Sequence, residues 1–314
     1  MSKIEPTVQI DIDIDINEEN AELLRMMERR SSFSVFMNRL LKNKPGMVGV
    51  SIILIVIFIA IFANFLAPHD PYFITLSDRL KPPSFIEGGS PKYFLGADSV
   101  GRDILSRIIY GSRISLAVGL AAITVGAGLG IVLGLLAGYF GGRVDSIISW
   151  LMNVQLSFPF ILLAIFMMSV FKGGLTSLIL VLGIGAWVRF ARIMRGQVLS
   201  VKEETYITSA VAVGLSLPRV LFRHILPNAI APIIVVASFT MADTILTEAA
   251  LSFLGLGISP EIPSWGQMLS DGRDYIQQAW WISVTPGLAI SITVLGINLF
   301  GDWLRDYFDP RLRI

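Results

Sequence analysis

Few residues of this chain are placed to do chemistry. Asp243 and Glu248 stand inside an apolar run that begins after Pro227 and ends near Gly257. A carboxylate within such a run is costly, and it marks either a polar path or a fixed pair between helices. The two lie about 140° apart around a helix, so they do not form one face. No series of acidic residues or histidines continues from them, which argues against a proton relay. His69 and His224 are the only histidines, and there is no cysteine. A metal site needs several converging ligands. Thiol catalysis, iron–sulfur clusters and disulfides all need sulfur. With one histidine expected on the inner side and one on the outer, no Ser–His–Asp arrangement with a base at a shared pocket is evident. The sequence holds no Gly-Lys dipeptide, hence no phosphate-cradling loop. The chain is expected to carry no catalytic, metal-binding or cofactor-binding residue.

Two further patterns are regular enough to matter. Gly126, Gly130, Gly134 and Gly138 recur every four residues, which lays a smooth stripe along one helix face and lets another helix approach closely. Packing is the simpler role, and sliding against a neighbour the functional one. The second pattern is the polar stretch SVKEETYITSAVAVGLSLPRVLFRHILPN from Ser200. Ser200 followed by Glu203 has the form of a capping box, so a helix is expected to start there. Gly214 is placed to end it, Pro218 to begin the next helical piece, and Pro227 to interrupt that piece. A helix of roughly 13 residues is too short to span a bilayer, but it would make a rigid handle for another protein.

The elements that must position these residues are membrane spans. Apolar residues make up 54% and charged residues 16% of the 314, and mean hydropathy is +0.68. The charges cluster between uncharged runs, as repeated spans require. Six runs are found: Pro45 to Pro68, Arg113 to Arg143, Asp145 to Lys172, Leu175 into Arg189, Arg192 and Arg195, Pro227 to about Gly257, and Asp274 to Asp302. The three arginines are expected to snorkel from the end of the fourth span. Asn153, Gln155 and Pro159 could kink the third span or line a path. With the N-terminus inside, 17 of the 25 Lys and Arg fall on inner segments, so both termini are expected in the cytoplasm. Net charge is +1, which gives no basic bias toward nucleic acid. Residues 1–20 are polar and acidic, without the apolar core of a secretory signal. Residues 21–43 alternate apolar and basic positions and predict an amphipathic helix on the inner membrane surface.

The polar stretch resembles the cytoplasmic coupling loop of ABC importer permeases, whose pattern is Glu-Ala-Ala, three residues, Gly, and a distal Ile-Leu-Pro. The matching positions are Thr208, Ser209 and Ala210, then Gly214, then Ile225, Leu226 and Pro227. Thr208 stands where the family has Glu, and Glu203 and Glu204, with Tyr206 beside them, are candidates to supply the contact instead. The segments 94–116, 246–257 and 263–313 resemble the C-type permease of the dipeptide, oligopeptide and nickel importers. The resemblance runs from about residue 40 to the end. It implies an all-α polytopic membrane protein with six transmembrane helices and the type I ABC importer transmembrane fold. A tail and amphipathic helix would occupy 1–43, a first span 46–67, an extracytoplasmic loop 68–112, a five-helix core 113–303 with coupling loop 199–227, and a cytoplasmic tail 304–314.

The same resemblance implies the partners. They are a second homologous permease, two cytoplasmic ATPase subunits carrying ATP and Mg, an external solute-binding protein that lands on the proline-rich outer loop, and membrane lipid, with no nucleic acid. The setting is a prokaryotic inner membrane. The implied function is one half of the pathway of an ATP-driven peptide importer, with Asp243 and Glu248 as pathway candidates that could meet a peptide amine. A nickel or other small-solute permease of the same family is the alternative. A gradient-driven carrier is a more distant one, since no inverted repeat is visible.

Overall fold

Where water is excluded, backbone N–H and C=O groups must pair within their own segment, so long uncharged runs become helices. The computed structural model describes residues 34–171 and 173–309. The chain divides into two units, Met1–Lys44 and Pro45–Ile314, and the features below lie in the second unless stated. In the first, a helix covers 34–42 (α1). The rest of the expected amphipathic helix, residues 21–33, and the acidic residues 1–20 lie outside the described residues, as do 310–314 at the C-terminal end.

Five helical segments are long and apolar enough to cross a membrane. They are Lys44–Ile61 (α2), Ile104–Phe140 (α3), Leu175–Lys202, Leu217–Phe253 and Trp281–Phe308. The expected third span is a pair, Gly142–Leu156 (α4) and Phe160–Val170 (α5), bent by 90°. Pro159 explains the bend: it has no N–H to donate, and it drives Phe158 before it out of helical geometry. Leu175–Lys202 is α6. The short helix Thr205–Ala212 is α7. Leu217–Phe253 opens with one helical turn, Leu217–Arg219, passes through a wide π-helical turn, Val220–Ile225, and continues as α8, Leu226–Phe253. A short helix Trp265–Gly272 (α9) precedes α10, Trp281–Phe308, which runs past the boundary expected at residue 303. Among the described residues, strand pairing is limited to one bridge, Ala97 with Asp103.

The tightest seam joins α3 to α6. A Cβ placed on Gly126, Gly130, Gly134 or Gly138 would come 2.5–2.8 Å from atoms of α6, among them the Trp187 and Ala191 carbonyl oxygens and the Val198 side chain. The stripe is therefore a dry packing surface. Phe190, Ala191, Met194 and Val198 fill its other side and are fully buried.

The loop ahead of α3 is ordered by charge. α3 begins at Ile104, capped by Asp103, whose carboxylate accepts from the Ser106 N–H at 2.9 Å; the last nine residues of the expected outer loop are thus helical. Asp98 accepts from Arg102 Nε at 2.6 Å, and Arg102 reaches Asp271 of α9 at 3.4 Å. Arg107, 1% exposed, stands 3.8 Å from both carboxylates. Gly101, at φ +82°, lets the turn pass so close to the Thr75 carbonyl that a Cβ would not fit. Asp78 accepts from Lys81, Lys92 and Tyr93. These bonds, Lys81 first, hold its carboxyl well below the usual range, while Asp78 and then Tyr93 push the Lys92 ammonium up. His69, the histidine of this loop, lies 3.4 Å from Asp103.

Candidate functional site

The polar turn between α6 and α8 is built differently from its sequence pattern. Ser200 does not cap a helix. It lies inside the last turns of α6, which run to Lys202, because the preceding helix continues its own hydrogen-bond ladder through it. The new helix α7 starts after Glu204, whose backbone is extended and whose side chain makes no cap bond. It is 8 residues long, shorter than expected. Its end follows expectation: Gly214 adopts φ +81°, its N–H donates to the Val211 carbonyl, and the Leu215 N–H donates to the Ala210 carbonyl. This is the Schellman arrangement that favours glycine. Pro218 sits in the first helical turn after Ser216. Pro227 does not interrupt the helix; the π-helical turn before it absorbs the missing donor, and the helix runs on.

α7 is anchored on one side only. Ile207 is buried, with Leu221 and Ile225 beneath it in one apolar cluster. Tyr206 accepts a hydrogen bond from Asn228 at 3.1 Å. The Thr208 and Ser209 hydroxyls both donate to the Thr205 carbonyl and so spend themselves inside the helix. Glu203, Glu204 and Val213 face outward, Val213 being 84% exposed.

The second part of the site is an open cavity of about 370 Å³ between α6 and α8, closed at one side by Leu156 and Phe160 at the α4–α5 bend. Gln155 fixes that bend to α6: its amide donates to the Ile184 carbonyl at 2.9 Å and its oxygen accepts from Trp187 Nε1 at 2.6 Å. Into the cavity project Arg189 and Arg192 from α6, and Thr240, Asp243, Thr244 and Thr247 from α8. Arg189 Nη1 pairs with Asp243 Oδ2 at 2.5 Å, and the two side chains are 52% and 56% exposed.

Two expectations are corrected here. The helix does not end at the three arginines but runs on to Lys202. Arg189 stands at the middle of α6, roughly 20 Å of helix from either terminus at 1.5 Å per residue. Glu248 does not line the cavity. It is 1% exposed and accepts from Ser252 at 2.8 Å and Ser264 at 3.3 Å, where α8 meets the start of α9. Asp243 combines both roles proposed for it, an ion pair between helices and a lining position. The three arginines of α6 also differ. Arg195 clamps Asp145 of α4 through two bonds, at 2.5 and 2.7 Å. Arg189 uses one, and Arg192 makes no ion pair among the described residues.

Comparison with known proteins gives a context for an open polar cavity between two helices of span length and a short exposed helix beside them. Residues 130–314 match the family described as the inner membrane component of binding-protein-dependent transport systems. The chain belongs to that family. Residues 31–83 of this permease match the N-terminal membrane domain of oligopeptide transport permease C. The permease is 41% identical to a di/tripeptide transport permease, DppC, of Pseudomonas aeruginosa, over 86% of this chain and 89% of the relative. It is 44% identical to the dipeptide permease DppC of Escherichia coli over 87% of this chain and 91% of that one. It is 41% identical to the glutathione permease GsiD of Pectobacterium atrosepticum over 93% and 95%. Its fold is similar to a chain of the inward-facing MetNI methionine ABC transporter, with a TM-score of 0.55 at 21% identity, over 66% of this chain and 98% of that one. It is a multi-pass inner-membrane protein of the type I ABC importer fold.

Proposed function

We propose that this permease forms half of the translocation pathway of an ATP-driven importer of short peptides. The open polar groove between α6 and α8 carries the proposal, in a chain whose relatives over most of its length are named as dipeptide, di/tripeptide and glutathione permeases. A hydrocarbon-facing surface would not retain two arginines and an aspartate on helices of span length. A second, homologous permease would cover the groove and supply its other wall.

The division of labour follows from the exposed turn. α7 offers an outward face with Glu203, Glu204 and Val213, anchored beneath by Ile207 and braced by Tyr206 and Asn228. One cytoplasmic ATPase subunit would dock there, and a second on the partner permease. The sequence has no Gly-Lys dipeptide, so ATP and Mg belong to those subunits. α7 is joined to α6 by two residues and to α8 through the π-helical turn. Closure of the ATPases would therefore move both walls of the groove together. Both termini would lie in the cytoplasm, and the 68–103 loop would meet a solute-binding protein outside.

Mild detergent extraction tests the proposal. The wild-type chain should co-purify with two ATPase subunits, and the variant with Glu203, Glu204 and Tyr206 changed to Ala should lose them. If the wild type carries no ATPase, the importer proposal fails.

A further inference from the structure

We propose that Arg189 and Asp243 form an exchangeable latch that reads the two termini of a peptide. This rests on the importer function proposed above and adds its recognition chemistry.

Among the ion pairs of the membrane helices, this one is built loosely. Arg195 and Asp145 share two bonds and are about one quarter to one third exposed. Arg189 and Asp243 share one bond, are half exposed, and face a cavity of about 370 Å³. Among the described residues, one carboxylate oxygen of Asp243 and the remaining guanidinium donors of Arg189 are left for another partner. Arg192, one turn further along the same helix, adds a second cation to the cavity. Thr240 lines the cavity, and its buried hydroxyl has no hydrogen-bond partner among the described residues. A buried hydroxyl without a partner is unfavourable unless a ligand or water satisfies it.

A zwitterionic peptide fits this arrangement. Its carboxylate takes Arg189, with Arg192 beside it, and its ammonium takes Asp243, while a peptide N–H or C=O reaches Thr240. Every charge freed from the resident pair finds an opposite charge on the peptide, so the exchange leaves none unpaired. When the peptide leaves, the resident pair re-forms. A neutral solute offers no such exchange. The volume lies in the range of about 300–1,000 Å³ typical of small-ligand sites.

The test is ATP-driven uptake by the complete transporter in liposomes with its solute-binding protein. Three forms of one peptide are compared: free, C-terminally amidated and N-acetylated, each rate divided by the wild-type rate for that form. Arg189→Gln is expected to slow the free and N-acetylated forms about tenfold or more, as loss of a charge-assisted bond implies, and to spare the amide. Asp243→Asn should slow the free and amidated forms and spare the N-acetylated one. Equal loss across the three forms, or no loss, overturns the latch and leaves the importer standing. No peptide uptake by wild type overturns the importer itself. A second readout does not need capped peptides. The chain has no cysteine, so Thr247→Cys places one thiol in the cavity. Free peptide should slow its reaction with a water-soluble thiol reagent several-fold, and Arg189→Gln should abolish that protection. Protection unchanged by Arg189→Gln overturns the latch.

Discussion

α6 has two faces that obey opposite rules. Toward α3 it meets a glycine stripe, and backbone approaches side chain with no room for a methyl group. Toward α8 it meets an open cavity with an ion pair and hydroxyls on its walls. The first face gains dispersion contacts in a setting where the hydrophobic effect does not drive helices together. The second forgoes those contacts to keep polar groups available. Placing a seam and a groove on one helix makes the seam the fixed reference against which the groove can open. The difference separates residues whose loss should break the fold from residues whose loss should break transport.

The largest effect is expected at the seam. Gly130→Leu would drive its side chain into Phe190 and the Trp187 carbonyl and should cost more than about 3 kcal/mol. Gly128→Leu, on the same helix but with open space beside it, should stay within about 0.5 kcal/mol. Thermal unfolding followed by size-exclusion chromatography in detergent separates them, and equal behaviour would break the comparison. Arg107→Leu comes next: it removes a buried cation 3.8 Å from Asp98 and Asp271, which keep Arg102, and should cost about 1–3 kcal/mol in the same assay. Gly214→Val forces a β-branched residue to φ +81°, with a penalty of about 1–2 kcal/mol. Faster hydrogen exchange over 205–215, with the spans unchanged, is the expected signature.

At the groove the effect on stability should be small. Asp243→Asn breaks a half-exposed pair, so the shift should stay under about 1 kcal/mol while transport falls. The smallest effect concerns pH. The Asp78 carboxyl is held low by Lys81, Lys92 and Tyr93. Its contribution is therefore complete above the ordinary carboxylate range, and it is lost as pH falls below that range toward the depressed value. Hydrogen-exchange protection over 76–94, taken relative to the intrinsic rate at each pH, should fall in acid, and Asp78→Asn should remove that dependence.

Much of this arrangement was legible in the sequence, because uncharged runs of span length have few other uses. The stripe from Gly126 to Gly138 announced a close helix partner, though not that α6 was the partner. Gly214 was readable since its role is local. What failed was what depended on neighbours. Ser200 and Glu203 have the form of a helix start, but α6 had not yet ended. Arg189 was read as a helix end because charge usually marks one; its mid-helix position emerges only once the helix is seen to reach Lys202. The run of Arg189, Arg192 and Arg195 at three-residue spacing within an apolar helix was the signal available. The fate of Glu248 depended on Ser264, sixteen residues away, folding back over it.

The central claim is that one face of α6 lines a water-filled path while the other is sealed. Single cysteines introduced into this cysteine-free chain test it in the assembled transporter, in membranes. Arg189→Cys and Arg192→Cys should react with a membrane-impermeant thiol reagent, and Ala191→Cys, which is fully buried at the seam, should not. Reaction at all three positions, or at none, would contradict the account.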